Sequence, residues 1–194
     1  MATTPNTHTI CYLDMDGVIV DLVGGLAKWH LFECDLMHWP KQEYSLTVGF
    51  KKMGFLGKNL LQPLQFVEFY RNLPPSQHWE EIIQILEQRF DRANIVLLSD
   101  PKNAAAAEGK RQWIQHWLPD FAIRQAFRFA ENKSSFANPH TVLVDDFQLH
   151  VDAFKESGGR SILFPQPWNR NFRDFESPYC IEFFKRSVDA LLMK

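Results

Sequence analysis

The chain begins with polar residues 1–8, which read as a frayed leader, and turns apolar at Ile10. The run Ile10-Cys11-Tyr12-Leu13 is apolar on both faces and ends abruptly in Asp14-Met15-Asp16-Gly17. That is the pattern of a buried parallel strand closed by a breaker. Leu22, Leu26 and Trp29 then recur at helical spacing and predict a helix over 18–30. Gly24-Gly25 weaken it, since each glycine costs about 1 kcal/mol relative to alanine, so close backbone packing or ligand approach is expected there. Residues 31–91 lose the alternation: Pro40, Gly49, Gly54, Gly57, Pro63 and Pro74-Pro75 punctuate short amphipathic pieces crowded with aromatic residues. The stretch predicts either a small, mostly helical cap inserted after the first strand or extra helices continuing the core. It closes in a better helix over 77–90, with Trp79, Ile82, Ile83, Leu86 and Phe90 on one side.

From residue 94 the pattern is regular. Strands are predicted over 94–99, 122–129, 141–146 and 160–164, and helices over 104–118, 148–157 and 178–193, with Pro119 stopping the first of these helices. Strands alternating with helices imply right-handed βαβ units and a Rossmann-like parallel α/β sheet flanked by helices. The expected division is a core of 1–21 and 92–194 with a cap of 22–91. Several strands end in polar residues, so Asp14, Asp16, Ser99, Lys133, Asp145 and Asp146 can meet at the carboxyl edge, where ligands bind in such sheets.

Composition narrows the class. The 194 residues suffice for one sizeable core, and 45% hydrophobic residues with 14% aromatics describe a folded globular protein. A formal charge of −2 leaves no basic excess to track a nucleic-acid polymer. The three cysteines, Cys11, Cys34 and Cys180, are far apart and lack metal-site spacing; Cys11 reads as a small buried hydrophobe. No apolar run approaches membrane-spanning length, and no secretory pattern opens the chain. The expectation is a soluble cytoplasmic protein without membrane or nucleic-acid partners, as monomer or homodimer.

The carboxylates carry the chemistry. Asp14 at a strand end can attack an electrophile and form an acyl-phosphate, and Asp16 can act as general acid and base. Asp-x-Asp-Gly also opens calcium loops, but an EF-hand needs a polar ligand at Val18 and its glycine at Ile19, so that reading fails. Asp145-Asp146 could instead cap the helix that follows. Four acids at one edge favour a cation, since like charges 4 Å apart cost about 4 kcal/mol at an effective dielectric of 20. Oxygen ligands beside a phosphate suit Mg²⁺, with Asp14 and Asp145 as side-chain ligands. Asp146 would hold a metal-bound water or a lysine.

Asp14-Met15-Asp16-Gly17-Val18 resembles the first motif of the haloacid dehalogenase-like (HAD) phosphohydrolases. The longer run DMDGVIVDLVGG, the small cap, VDDF and Ile162-Leu163-Phe164 with Pro165-Gln166-Pro167-Trp168-Asn169 resemble the 5'(3')-deoxyribonucleotidase branch. The resemblance implies that Ser99 binds the phosphoryl group, that Lys133 neutralises phosphate and nucleophile, and that the carbonyl of Asp16 joins the metal. It also implies a Mg²⁺-dependent 5'-nucleotidase acting on a small phosphate monoester. Three positions depart from that branch: Leu22 replaces a phenylalanine, Asp100 a serine, and Ala130-Glu131-Asn132 occupies the place of an arginine. Two extra acids near a dianion would weaken binding unless they point away. Trp39, Phe50 and Phe55 are the candidates to stack on a base, against the alternative that each is cap core. The competing readings are a sugar-phosphate or other metabolite phosphatase and, in a different class, a HAD-fold binding or regulatory module without turnover.

Overall fold

The computed structural model describes residues 8–171 and 178–192, so most of the polar leader and the end of the last helix expected over 178–193 lie outside the described residues. The apolar runs become β1 (Ile10–Leu13), β2 (Ile95–Ser99), β3 (Phe127–Phe129), β4 (Thr141–Asp145) and β5 (Arg160–Leu163). They form a five-stranded sheet in the order β3-β2-β1-β4-β5, with every pairing parallel. The helices are α1 (Leu22–Trp29), α2 (Leu46–Lys52), α3 (Val67–Arg71), α4 (Trp79–Glu87), α5 (Ala104–Trp117), α6 (Pro119–Ile123), α7 (Gln148–Glu156) and α8 (Pro178–Leu192).

Alternation along each strand feeds two cores, as it must when both faces of a parallel sheet are covered. Cys11, Leu13, Leu97, Val142 and Val144 face the larger cluster. Tyr12, Leu98 and Leu143 face a smaller one, closed by Phe154 of α7. Cys11 is fully buried, as its apolar setting led one to expect.

The chain builds outward from β1 to β2 and β3, then returns to lay β4 and β5 on the other side of β1. The crevice outside the carboxyl ends of β1 and β4 is therefore the switch point of the sheet, where ligands bind. Leu13 pairs with Val144 on one side and Leu97 on the other, which brings Asp14 level with Asp145 and close to Ser99.

Several elements differ from the pattern expected. The first helix begins at Leu22 rather than at 18, because the amides of Val18, Ile19 and Val20 all turn back to the carbonyl of Met15. Gly17 makes that turn possible with a φ of 73°. Asp21 then caps α1, accepting from the Gly24 amide at 2.8 Å. Gly25 packs closely: a Cβ there would lie 2.2 Å from Leu73 Cδ2, so the Leu73 side chain would have to move. The strand expected over 122–129 shrinks to three residues, because Pro119 opens α6 instead of only ending α5.

The aromatic crowding of 31–91 makes a cluster in which Phe50 meets Trp39, Phe32 and Phe55 at ring-centroid distances of 5.5, 6.0 and 6.0 Å. This segment is tied to the sheet layers. α3 lies against α5, Trp113 donates to the Leu73 carbonyl at 2.9 Å, and α4 packs on α8.

Candidate active site

The two central strands deliver Asp14 and Asp145 side by side at the crevice, and the turn before β4 delivers a cation between them. Lys133 opens a short 3-10 turn, Lys133–Phe136, and its side chain is 1% exposed. Its ammonium lies 2.7 Å from Asp14 Oδ1 and 2.7 Å from Asp145 Oδ2. Asp145 Oδ1 also accepts from the Phe147 amide at 2.8 Å, and His150 Nδ1 stands 3.1 Å from Oδ2, the oxygen that Lys133 contacts. Asp145 and Asp146 do not cap α7, whose N-cap is Phe147 without a side-chain bond.

These surroundings divide the acids. Burial pushes Asp14 up to about 6, with Lys133 opposing and the charges of Asp145 and Asp16 adding to the rise. Burial also acts on Asp145, but Lys133 and His150 outweigh it and hold this carboxyl below its ordinary value. Asp146 is raised well above its ordinary value by burial and then by the charges of Asp145 and Asp14. Lys133 is raised, since the two carboxylates outweigh burial.

The shift of Asp14 has a measurable consequence. Its folded value of about 6 exceeds the ordinary 3.8, so the folded chain binds the extra proton between those values. The stability that this proton confers is present below about pH 4 and lost as pH rises through about 6. In EDTA, Asp14→Asn is therefore expected to be more stable than the parent at pH 7.5 by on the order of 1–3 kcal/mol and to match it near pH 4. Equal melting curves at both pH values would refute this picture of a crowded acid.

Ligating oxygens of Asp14, Asp145 and Asp146 all lie within 4.8 Å of one another. This all-oxygen set, in which burial and then mutual crowding raise two of the three carboxyls, fits a hard divalent cation. Of the two partners expected for Asp146, the lysine is excluded, because Lys133 turns to Asp14 and Asp145. Asp146 Oδ2 instead accepts from the Trp168 indole at 2.6 Å.

Above the acids opens a cavity of about 750 Å³, lined at its floor by Asp14, Asp16, Ser99 and Lys133. Its walls include Val20, Leu22, Leu36, Trp39, Leu46 and Leu64. Trp39 thus reaches the cavity, although it is only 2% exposed. Phe50 and Phe55 do not line it: Phe50 is fully buried inside the aromatic cluster, and Phe55 faces a separate cavity of about 780 Å³. Tyr44 and Phe147 do line the cavity above the acids, their rings stacked with centroids 3.8 Å apart. Of the two departing acids, Asp100 lines the cavity and pairs with Lys102, whereas Glu131 is exposed and not part of the lining.

Sequence reading missed Lys110. It lies on α5, is 2% exposed, and places Nζ 2.6 Å from Asp16 Oδ2. The contact is one of charge, without a directed hydrogen bond, and it leaves Asp16 Oδ1 without a hydrogen-bond partner among the described residues. The available signal was a lysine on the buried stripe that also carries Ala106, Trp113 and Ile114. The arrangement holds Asp16 by one oxygen and leaves the other buried and unpaired among the described residues.

Comparison with known proteins follows the same line. The family described as 5' nucleotidase, deoxy (pyrimidine), cytosolic type C matches residues 8–179. A protein of Staphylococcus epidermidis that carries the provisional name 5'(3')-deoxyribonucleotidase is 25% identical over 170 residues, covering 84% of this chain and 87% of its own. Among solved structures, a HAD family enzyme of Bacteroides thetaiotaomicron, in complex with magnesium and inorganic phosphate, matches at 15% identity and a TM-score of 0.42. It covers 85% of this chain and 99% of that one. The unknown transcript 4 protein of Saccharomyces cerevisiae matches at 13% identity and a TM-score of 0.39, covering 89% of this chain and 96% of that one.

Proposed function

Because the chain belongs to the cytosolic type C family of 5' deoxynucleotidases, phosphoric monoester hydrolases of HAD type, we propose that it hydrolyses (deoxy)ribonucleoside monophosphates through a phosphorylated Asp14 with Mg²⁺ bound at the acid cluster. The observation that carries this reading is Lys133 straddling Asp14 and Asp145 on the floor of a largely apolar cavity. Such a floor suits a phosphate dianion and its cation, and such walls suit a base rather than a bare sugar. Residues 22–91 serve as the cap in this reading, and α4 fastens its end to the core through α8.

Asp14 attacks phosphorus in line while Asp16, positioned by Lys110, serves as the general acid that delivers a proton to the leaving ester oxygen. Ser99 donates its hydroxyl to a phosphoryl oxygen, and the Lys133 ammonium neutralises the negative charge beside Asp14. Asp16 then takes a proton from the water that attacks phosphorus and releases Asp14. Asp14, Asp145 and the carbonyl of Asp16 would hold Mg²⁺, with Asp146 acting through a bound water. The cation, when present, supplies charge neutralisation at the phosphoryl oxygens.

A substrate screen tests the reading. Phosphate release should require Mg²⁺ and stop in EDTA. Nucleoside monophosphates should exceed ribose 5-phosphate in kcat/KM by at least about tenfold, roughly 1.4 kcal/mol. Sugar phosphates that match every nucleotide would replace the nucleotidase reading with that of a metabolite phosphatase. The module without turnover gives way because the family consists of hydrolases.

A further inference from the structure

Asp146 is 5% exposed and crowded by Asp145 and Asp14, yet no lysine or arginine pairs with it among the described residues. What holds it is the loop after β5. Trp168 Nε1 donates to Asp146 Oδ2 at 2.6 Å, and Asn169 Nδ2 donates to the Asp146 carbonyl at 2.9 Å. The same loop grips the turn that carries Asp16, because Gln166 Nε2 donates to the Gly17 carbonyl at 2.6 Å. Asp146 and Trp168 fit against the bare face of Gly17: a Cβ there would stand 2.1 Å from Asp146 Oδ2 and 3.1 Å from Trp168 Cζ2.

The loop also reaches the segment that roofs the cavity. The Trp168 ring meets Trp39 edge to face at 6.0 Å, and the Gln42 amide donates to the Pro167 carbonyl at 3.0 Å. Two residues further on, Tyr44 stacks on Phe147, the residue after Asp146. One indole therefore touches both an acid of the cluster and the roof over it.

We propose that Trp168 is a positioning residue for the acid cluster: its indole N–H fixes the Asp146 carboxylate, and its ring makes that placement depend on how segment 39–44 is seated. The inference rests on the metal reading of the cluster. Partners that orient a ligand or its bound water commonly set metal affinity by ten- to a hundredfold, without contacting the ion. Coupling of this kind is reciprocal, so whatever Trp168 does for the cation, the cation does for the seating of 39–44.

The test is Mg²⁺ binding to the full chain, read by titration calorimetry without substrate. Trp168→Phe keeps a ring but loses the donor, and should weaken Mg²⁺ by about tenfold or more with little change in melting temperature. Trp168→His restores a donor, since imidazole Nε2 occupies the same place on a five-membered ring as the indole nitrogen. It should recover affinity to within about threefold of the parent. Mg²⁺ should also slow amide exchange at 39–44 in the parent and do so less in Trp168→Phe. If the parent binds Mg²⁺ and Trp168→Phe binds it equally well, the positioning role is overturned while the metal reading survives. If Mg²⁺ leaves exchange at 39–44 unchanged, the link to the roof is overturned. A parent that takes up no Mg²⁺ overturns the metal reading and this inference with it.

Discussion

Asp14→Asn is expected to fold and to lose phosphate release by at least about 10⁴-fold, because an amide cannot serve as the attacking group and nothing adjacent replaces it. Lys133 keeps its contact with Asp145 in this variant, so the cluster retains its buried cation. The loss should be as deep with p-nitrophenyl phosphate as with a nucleotide. A good leaving group relieves the demand on Asp16 but not the need for a nucleophile. Asp16→Asn should differ in that respect, with p-nitrophenol released once from each active site. Steady-state phosphate assays with Mg²⁺ saturating would check Asp14→Asn, and the amplitude of the p-nitrophenol burst would check Asp16→Asn. Turnover within about tenfold of the parent in Asp14→Asn would remove Asp14 from its role.

Lys133→Met should act on stability as well as on rate. The methionine fills a similar volume but leaves the carboxylates of Asp14 and Asp145 buried without the ammonium that stands 2.7 Å from each. Removing one member of a buried ion cluster costs about 3–5 kcal/mol, much of it the penalty for the charges left behind. Chemical denaturation in EDTA at pH 7.5 should show that loss. Mg²⁺ should return part of it, because a cation that binds only the folded chain stabilises it by mass action. The rate should fall by about 10²–10³-fold even at saturating Mg²⁺, as expected when a charge aimed at the phosphoryl group is removed. A variant as stable as the parent in EDTA would contradict the account of the acid cluster.

The two kinds of signal in the sequence were not equally legible. The apolar runs that end in Asp14, Ser99 and Asp145 could be read directly, because a buried parallel strand announces itself by composition and the topology then gathers the strand ends. Lys133 entered by resemblance to a motif, and the structure places it between the two acids. The fastenings of the site were not legible. Lys110 reads as one more charge on a helix until α5 is seen to turn that face toward Asp16. Trp168 reads only as part of an ending, since its bond to Asp146 joins two strand ends whose mutual placement no local pattern encodes. The cap was the least legible region: aromatic residues signal burial without saying against what. Phe50 and Phe55 belong to the aromatic cluster, while Tyr44, which nothing in the pattern marks out, reaches the cavity above the acids.

The central claim is that Asp14 carries the phosphoryl group, and a single trapping measurement addresses it. Asp16→Asn, saturated with Mg²⁺ and p-nitrophenyl phosphate, is quenched in acid during the first turnover and reduced with borohydride, which converts an aspartyl-phosphate into homoserine. The expected result is a burst approaching one p-nitrophenol per active site, with homoserine at position 14 and at no other aspartate. A burst with an unmodified position 14, or homoserine at another aspartate, would contradict the account.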